Sequence, residues 1–253
     1  MRTLRDIWLL FQRPFLQNLR NPSFVIVNIS TPLMYLVLFM PLLKRLSGPA
    51  FASGHIVQVF LPGIIALLFV TAGTGSVFPT IFELKKGLIE RLRVTPTSRL
   101  ALLTGPMLSW VAWTLISSAV IVALSVPFGF TVHAAGLAVF AILLVLLLTV
   151  FAAWVTAVAV LMKGEITSIS GIVVGLNLPI ILLGGVMLPL ALAPTWLRAL
   201  AHLDPLYYAV EAGRDLAAGA VATTAVGVAF AVLGPLAGLA LWWAMRVYRK
   251  AVA

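Results

Sequence analysis

The chain has 253 residues, of which 62% are hydrophobic and only 9% are charged, whereas an ordinary soluble domain is about 25% charged. Several apolar runs reach the roughly 20 residues that a helix needs to cross a bilayer, so the composition predicts an integral membrane protein. The net charge of +10 then reflects basic cytoplasmic loops and not binding to nucleic acid. Cysteine is absent, which excludes disulfides and cysteine-ligated metal sites.

The first 21 residues are predicted to form a helix that lies in the membrane interface. Apolar residues recur at roughly helical spacing, with Arg2, Arg5 and Asp6 among them: Leu4, Ile7, Trp8, Phe11 and Phe15. The arginines that interrupt the apolar run are not typical of a secretory signal peptide. A frayed cytoplasmic tail is the alternative for residues 1–21.

Six segments are predicted to span the membrane: 24–43, 57–80, 101–127, 135–162, 168–189 and 222–245. We expect both termini in the cytoplasm, because Lys and Arg collect on that side. This orientation leaves few basic residues on the outer side: Lys44, Arg45, Arg198 and Arg214. Together these features predict an all-α fold, with a single transmembrane domain over residues 1–253.

A dense group of charges follows the second predicted span and lies in the first cytoplasmic loop. Its apolar residues share one helical face: Ile81, Leu84, Leu88 and Leu92. The helix should end before Pro96, since the residue before a proline avoids the helical region. We therefore predict a short amphipathic helix over residues 82–95. A solvated linker that only fixes the topology is the alternative.

No pattern for an energy source occurs in the chain. There is no G-x-x-x-x-G-K-[ST] phosphate loop, so we do not expect this chain to hydrolyse ATP. The central parts of the spans also lack ionisable side chains, which weakens an ion-coupled mechanism. Four residues are candidates for a gate or a substrate path: Thr71, Thr74, Asn177 and Pro179. Gly171 and Gly175 form a small-xxx-small pattern that suits either a subunit interface or packing within one subunit.

A helical hairpin is predicted at the outer face over residues 194–216. Pro205 should begin its second helix, with Asp204 as the cap. Glu211 and Arg214 lie three residues apart on that helix and are expected to pair. Contact of Arg214 with lipid phosphate alone is the alternative.

Two motifs resemble those of ABC-2 type permeases. The loop sequence ELKKGLIERLRVTP is similar to the family pattern E-R-E-x-G-T-x-E-x-L-x-V-T-P. The matching residues are Glu83, Gly87, Glu90, Leu92, Val94, Thr95 and Pro96. Three positions depart from the pattern: Leu84, Lys85 and Leu88.

The second motif, DPLYYAVEAGRDL, resembles the family pattern N-P-L-x-Y-x-V-[DE]-x-x-R-x-L. The matching residues are Pro205, Leu206, Tyr208, Val210, Glu211, Arg214 and Leu216. Asp204 stands where the family usually has asparagine. Both motifs occur where the family has them, and within it the daunorubicin-resistance branch is the most similar.

The resemblance implies a transmembrane permease subunit of an ATP-driven exporter. Residues 82–95 would be the coupling helix that docks on the ATP-binding subunit. The coupling residues so implied are Glu83, Lys85, Lys86, Gly87, Glu90, Arg91, Arg93, Thr95 and Pro96. The outer hairpin motif comprises Asp204, Pro205, Tyr208, Glu211 and Arg214.

The expected partners are a separate ATP-binding subunit, a second permease that is identical or related, and membrane lipids. This chain should hold no cofactor and no metal, because ATP and Mg would bind to the partner subunit. The expected location is the plasma membrane of a prokaryote, and the expected cargo is an amphipathic drug, antibiotic or lipid. An ion-coupled transporter or channel, and a membrane scaffold without transport, are the alternatives.

Overall fold

The computed structural model describes residues 2–43, 56–78, 81, 99–162, 165–186, 190 and 193–252. The elements in this part of the chain are helices, as predicted. They are α1 (Arg2–Leu19), α2 (Pro22–Leu43), α3 (Ile56–Gly75), α4 (Arg99–Ser125), α5 (Ala134–Leu161), α6 (Ile166–Leu183), α7 (Thr195–Ala201), α8 (Pro205–Ala217) and α9 (Thr224–Val252). A short 3₁₀ helix, Val126–Phe128, extends α4.

Five of the helices are long and apolar enough to cross a membrane. Their apolar stretches are Val57–Gly75, Thr104–Phe128, Ala134–Leu161, Ile166–Leu183 and Thr224–Val247. These agree with five of the six predicted spans and with an integral membrane protein. The predicted span 24–43 coincides with α2, which is helical but is not among the five. The arrangement with six spans therefore stays a prediction.

The predicted span 168–189 extends too far at its C-terminal end. The helix α6 ends at Leu183 and a turn follows. The reason is local, since Gly185 has a φ of 63°, which is the left-handed region that glycine adopts without steric cost. The turn also directs the carbonyl group of Gly185 back into the protein, where a side chain of α8 binds it.

The centre of the fold is α8, which packs against α3, α5 and α9. Its residues Leu206, Val210 and Leu216 are fully buried in the main hydrophobic core. Most of the apolar stretch of α3 is buried too (83%), whereas only 11% of α6 is buried. The surface of α6 therefore faces away from this chain's own core.

Two glycines allow α5 and α8 to approach closely. A β-carbon at Gly136 of α5 would collide with the carbonyl oxygen of Leu216 in α8. A β-carbon at Gly213 of α8 would collide with the ring of Phe140 in α5. Small residues at such crossings are typical of helices that pack in membranes, because they let the backbones meet.

The N-terminal helix α1 packs on the first half of α4, where Gly105 lies against Leu10. On its other side Trp8 and Leu9 are exposed. Its aromatic residues form a stacked series, with ring centroids of Trp8 and Phe11 5.4 Å apart. Residues 1–21 are thus largely helical as predicted, and one apolar face remains for lipid. Their position in the membrane interface stays a prediction.

The predicted coupling helix, 82–95, lies outside the described residues. The same holds for every candidate coupling residue from Glu83 to Pro96. Their role stays a prediction.

Candidate functional site

The turn between α7 and α8 has the predicted cap. The carboxylate oxygen Oδ1 of Asp204 accepts a hydrogen bond from the main-chain N–H of Leu206 at 3.0 Å. Pro205 occupies the first turn of α8, where its missing N–H costs nothing and its fixed φ favours the helix. These two neighbouring residues therefore determine where the second helix of the hairpin begins.

The other carboxylate oxygen of Asp204, Oδ2, is buried and has no hydrogen-bond partner in the described part of the chain. Burial raises the pKa of Asp204 from its ordinary value of 3.8 to about 7, although the bond from Leu206 opposes the shift. Burial removes a carboxylate from water and so disfavours its charged form. The cap of α8 therefore changes its charge near neutral pH.

Arg214 joins three parts of the fold. Its Nη1 donates to Oε1 of Glu211 in the same helix, at 2.5 Å. Its Nε donates to the carbonyl oxygen of Val59 in α3 at 3.1 Å, and its Nη2 donates to that of Gly185 after α6 at 2.6 Å. The guanidinium thus connects α8 with α3 and with the end of α6; we call this arrangement the Arg214 clasp.

The Arg214 clasp confirms the predicted pair with Glu211 and contradicts contact with lipid phosphate alone. The side chain of Arg214 is only 10% exposed, and each of its three donor nitrogens has a protein acceptor. Burial lowers the pKa of Arg214 while the carboxylate of Glu211 opposes that shift. The guanidinium stays charged, as arginine does in proteins.

The C-terminal end of α8 is closed by side chains from distant parts of the chain. The carbonyl oxygen of Ala217 accepts from Nδ1 of His133 at 3.0 Å and from Nε2 of Gln58 at 3.4 Å. Gln58 also donates to Thr131. The sequence analysis missed both contacts. The only sign of these contacts in the sequence is Gln58, a single amide side chain at the start of an apolar span.

The aromatic residues of the hairpin form a cluster on its more exposed side. The hydroxyl group of Tyr208 donates to the carbonyl oxygen of His202 at 2.8 Å. The rings of His202 and Tyr207 are 5.0 Å apart. Burial and the nearby carboxylate of Glu211 raise the pKa of Tyr207. Trp196 of α7 remains 63% exposed, so it is available to the surroundings of the hairpin.

Among the four candidate gate or path residues, the described structure joins only Thr71 and Thr74, since the hydroxyl group of Thr74 donates to the carbonyl oxygen of Thr71 at 3.2 Å within the same helix. Thr71 and Thr74 donate to carbonyl groups of their own helix, α3. Asn177 lies on α6, and its buried Oδ1 has no partner within the described residues. Pro179 is also in α6 and is exposed. The threonine hydroxyls are therefore satisfied without a substrate.

One face of α6 is open. Val174, Leu178 and Leu182 are each more than 60% exposed. Beside them, Gly171 and Gly175 have no neighbouring atom within 4 Å of an added β-carbon. The small-xxx-small pattern therefore does not serve packing among the described residues of this chain.

Comparison with known proteins identifies the family. A model of the ABC-2 type transporter family matches residues 5–217, which include most of α1, all of α2 to α8 and both sequence motifs. This chain belongs to the ABC-2 type transporter family. The expected resemblance is thereby confirmed.

Individual relatives agree with the family match. The daunorubicin resistance ABC transporter permease protein DrrB1 of Streptomyces coeruleorubidus is 27% identical over 98% of this chain and 86% of its own length. The transport permease ycf38 of Porphyra purpurea is 31% identical over 82% of this chain and 72% of its own. The ycf38 protein of Cyanophora paradoxa is 29% identical over 84% of this chain and 74% of its own length.

Membership of the ABC-2 family implies an ABC transporter membrane subunit that works with an ATP-binding partner subunit. Membrane subunits of this kind are generally not catalytic. The five apolar helices agree with a protein that crosses the membrane several times. Within the described part of the chain, no group of three His, Asp or Glu side chains could hold a metal ion.

Proposed function

We propose that this chain is the transmembrane permease subunit of an ATP-driven exporter in the plasma membrane of a prokaryote. Its cargo is an amphipathic or lipid-like compound, such as a drug, an antibiotic or a lipid. The match of the ABC-2 family over residues 5–217 carries this proposal. The drug named for the Streptomyces relative makes daunorubicin the first compound to test.

In this proposal, ATP and Mg bind to the separate subunit and residues 82–95 transmit its movement. The two faces of that segment have different tasks. Leu88 and Leu92 rest on the membrane domain, while Glu90 faces the ATP-binding subunit. Charged contacts at such an interface fix the register and exclude wrong partners. Both termini lie in the cytoplasm, on the same side as this segment.

A second permease subunit covers the open face of α6. Gly171 and Gly175 provide a groove in which another helix can approach closely. The exposed apolar residues of α6 would then form the centre of a dimer.

The Arg214 clasp gives the α7–α8 hairpin a role in this mechanism. Because one guanidinium holds both α3 and the end of α6, a displacement of α6 at the subunit interface is transmitted to α3 through α8. The hairpin therefore couples the surface of the dimer to the buried centre of each permease.

Co-purification tests the partnership. The chain is expressed with its ATP-binding subunit, in the wild-type form and as Glu90→Lys. We expect the wild type to retain the subunit and Glu90→Lys to lose it, while the variant permease remains folded. Asp215→Lys is the matched control, because this acidic residue lies on α8.

Retention by Glu90→Lys would show that residues 82–95 are only a linker. An ion gradient that drives transport without ATP would instead favour an ion-coupled transporter.

A further inference from the structure

Three buried hydrogen-bond donors lie on one face of α4 without any partner in the described structure. They are Oγ of Ser109, Nε1 of Trp113 and Oγ of Ser117. These side chains are between 0% and 4% exposed. They are four residues apart, so they form a row about 12 Å long at 1.5 Å per residue. We call them the α4 donor row.

Neighbouring hydroxyls on α4 behave differently. Those of Thr114 and Ser118 donate to carbonyl groups one turn earlier in the helix, each at 2.7 Å. The helix therefore satisfies hydroxyls that lie beside the row. The indole N–H of Trp113 has no such option, since its ring holds the donor away from the helix backbone. A buried donor without an acceptor costs free energy, and a row of three in a native fold calls for an acceptor.

The surroundings of the row are aromatic. The ring of Phe24 in α2 lies 5.5 Å from that of Trp113 and 5.9 Å from that of Trp110. The helix α2 covers the row from one side. The side of α2 that faces away from the row is open, with Ile26 and Met34 more than 60% exposed. Access of a ligand to the row requires α2 to move away from α4.

The chemistry of the row determines what it can recognise. Each member is able to donate a hydrogen bond, and no charged side chain occurs between Arg99 and Lys163 in the sequence. After Arg99, its first residue, α4 carries no charged side chain that could serve as a counterion for a charged ligand. Aromatic rings beside the donors favour a flat ring system, which can stack on them or meet them edge to face.

We propose that the α4 donor row is a binding site for the exported compound. It recognises a flat, uncharged ring system whose acceptor oxygens, such as carbonyl or ether groups, are spaced along about 12 Å. This assignment rests on the proposed export function for its biological meaning. Binding itself requires only this chain, so it can fail or succeed independently of the ATP-binding subunit.

Binding to the purified permease in detergent tests the site. The probes are anthraquinone, which has two carbonyl acceptors, and anthracene, which has the same ring system without them. Binding is measured by equilibrium dialysis, with empty micelles subtracted. We expect saturable binding of anthraquinone to the wild type, and about tenfold weaker binding to the double variant Ser109→Ala, Ser117→Ala. Trp113→Phe, which removes the N–H together with the five-membered part of the indole and keeps a phenyl ring, should weaken binding similarly.

Ser118→Ala is the matched control, because its hydroxyl is already satisfied by Thr114. It should bind anthraquinone like the wild type, and anthracene should not distinguish any of the proteins. Equal affinity of anthraquinone for the wild type and the double variant would overturn the site. Absence of saturable binding to the wild type would overturn the class of ligand.

Thermal unfolding provides a second test. A ligand that binds only the folded state raises the unfolding temperature, so anthraquinone should stabilise the wild type and Ser118→Ala more than the double variant. Without ligand, the double variant should be at least as stable as the wild type, since it removes donors that have no acceptor. A less stable double variant would show that the hydroxyls already have partners inside the protein, which would also overturn the proposal.

Discussion

Arg214 of α8 donates from Nη2 to the carbonyl oxygen of Gly185, 2.6 Å away, at the turn that ends α6. Its Nε reaches Val59 in α3 at the same time. A planar guanidinium with five N–H donors can serve several acceptors in fixed directions. One side chain of the α7–α8 hairpin therefore fixes the relative positions of three helices.

Removal of the Arg214 clasp should destabilise the permease. Arg214→Ala leaves the carbonyl groups of Val59 and Gly185 and the partly exposed Glu211 without their donor, and leaving a buried polar group unpaired costs about 1–3 kcal/mol. Arg214→Lys should recover only part of this, because an ammonium group cannot reproduce the planar fork. Arg198→Ala is the control, since Arg198 is exposed and makes one main-chain contact. Thermal unfolding in detergent measures the difference; equal unfolding temperatures for the wild type and Arg214→Ala would contradict the clasp.

The stability of the hairpin should depend on pH through Asp204. Burial raises its pKa from 3.8 to about 7, so the folded state binds the proton more tightly than the unfolded state does. Stability should therefore fall as pH rises from about 4 to about 7 and then level off, by at most about 4 kcal/mol at 1.4 kcal/mol per pH unit. Asp204→Asn keeps an oxygen for the cap but does not titrate.

The measurement is the unfolding temperature of both proteins between pH 5 and pH 8. As pH rises, the unfolding temperature of Asp204→Asn should increase relative to that of the wild type. At pH 8 the variant should be the more stable protein. Parallel curves would show that Asp204 does not change its charge in this range.

The cap of α8 was predictable because its cause is local. Asp204 and Pro205 are adjacent, and the preferences of helix starts act within one turn. The partners of Arg214 were not predictable beyond Glu211, since the other two are main-chain carbonyl groups that only the tertiary fold brings near. The contacts of Gln58 and His133 with Ala217 were missed for the same reason, as they join distant parts of the chain.

Five of the six predicted spans were likewise correct in their existence as apolar helices but not in every boundary. The apolar length of 168–189 predicts a helix correctly, but length alone does not show that Gly185 will adopt a positive φ and end it. The buried donors Ser109 and Trp113 were also not recognised as candidates, because periodicity does not reveal which polar atoms lack a partner.

Because α5 and α8 lie in close contact, the stability of the permease should depend strongly on the glycine at position 136. Gly136→Ala would place a methyl group against the carbonyl oxygen of Leu216, and forced overpacking typically costs about 1–3 kcal/mol. Gly227→Ala is the control, because α9 has open space there. The control should be neutral or stabilising by about 0.5–1 kcal/mol, since alanine favours a helix. If both variants unfold at the same temperature, the close approach of α5 and α8 is wrong.

The proposed dimer can be tested by cross-linking, since the chain has no cysteine of its own. Val174→Cys on the open face of α6 should form a disulfide between two copies in membranes under mild oxidation. Leu239→Cys is the control, because it is similarly exposed but lies on α9. Adding Gly175→Leu to Val174→Cys should reduce the cross-linked fraction severalfold, because the bulky side chain fills the groove. Equal cross-linking of the two cysteine variants would contradict a dimer through α6.

The central claim is that this chain exports a compound only when a separate subunit hydrolyses ATP. The most direct measurement is uptake of daunorubicin into inside-out vesicles that contain this chain and its ATP-binding subunit. We predict uptake that requires ATP and both proteins, persists when ion gradients are dissipated, and falls to the background level in Glu90→Lys. Uptake that is driven by an ion gradient in the absence of ATP, or that is unchanged when the ATP-binding subunit is omitted, would contradict the account.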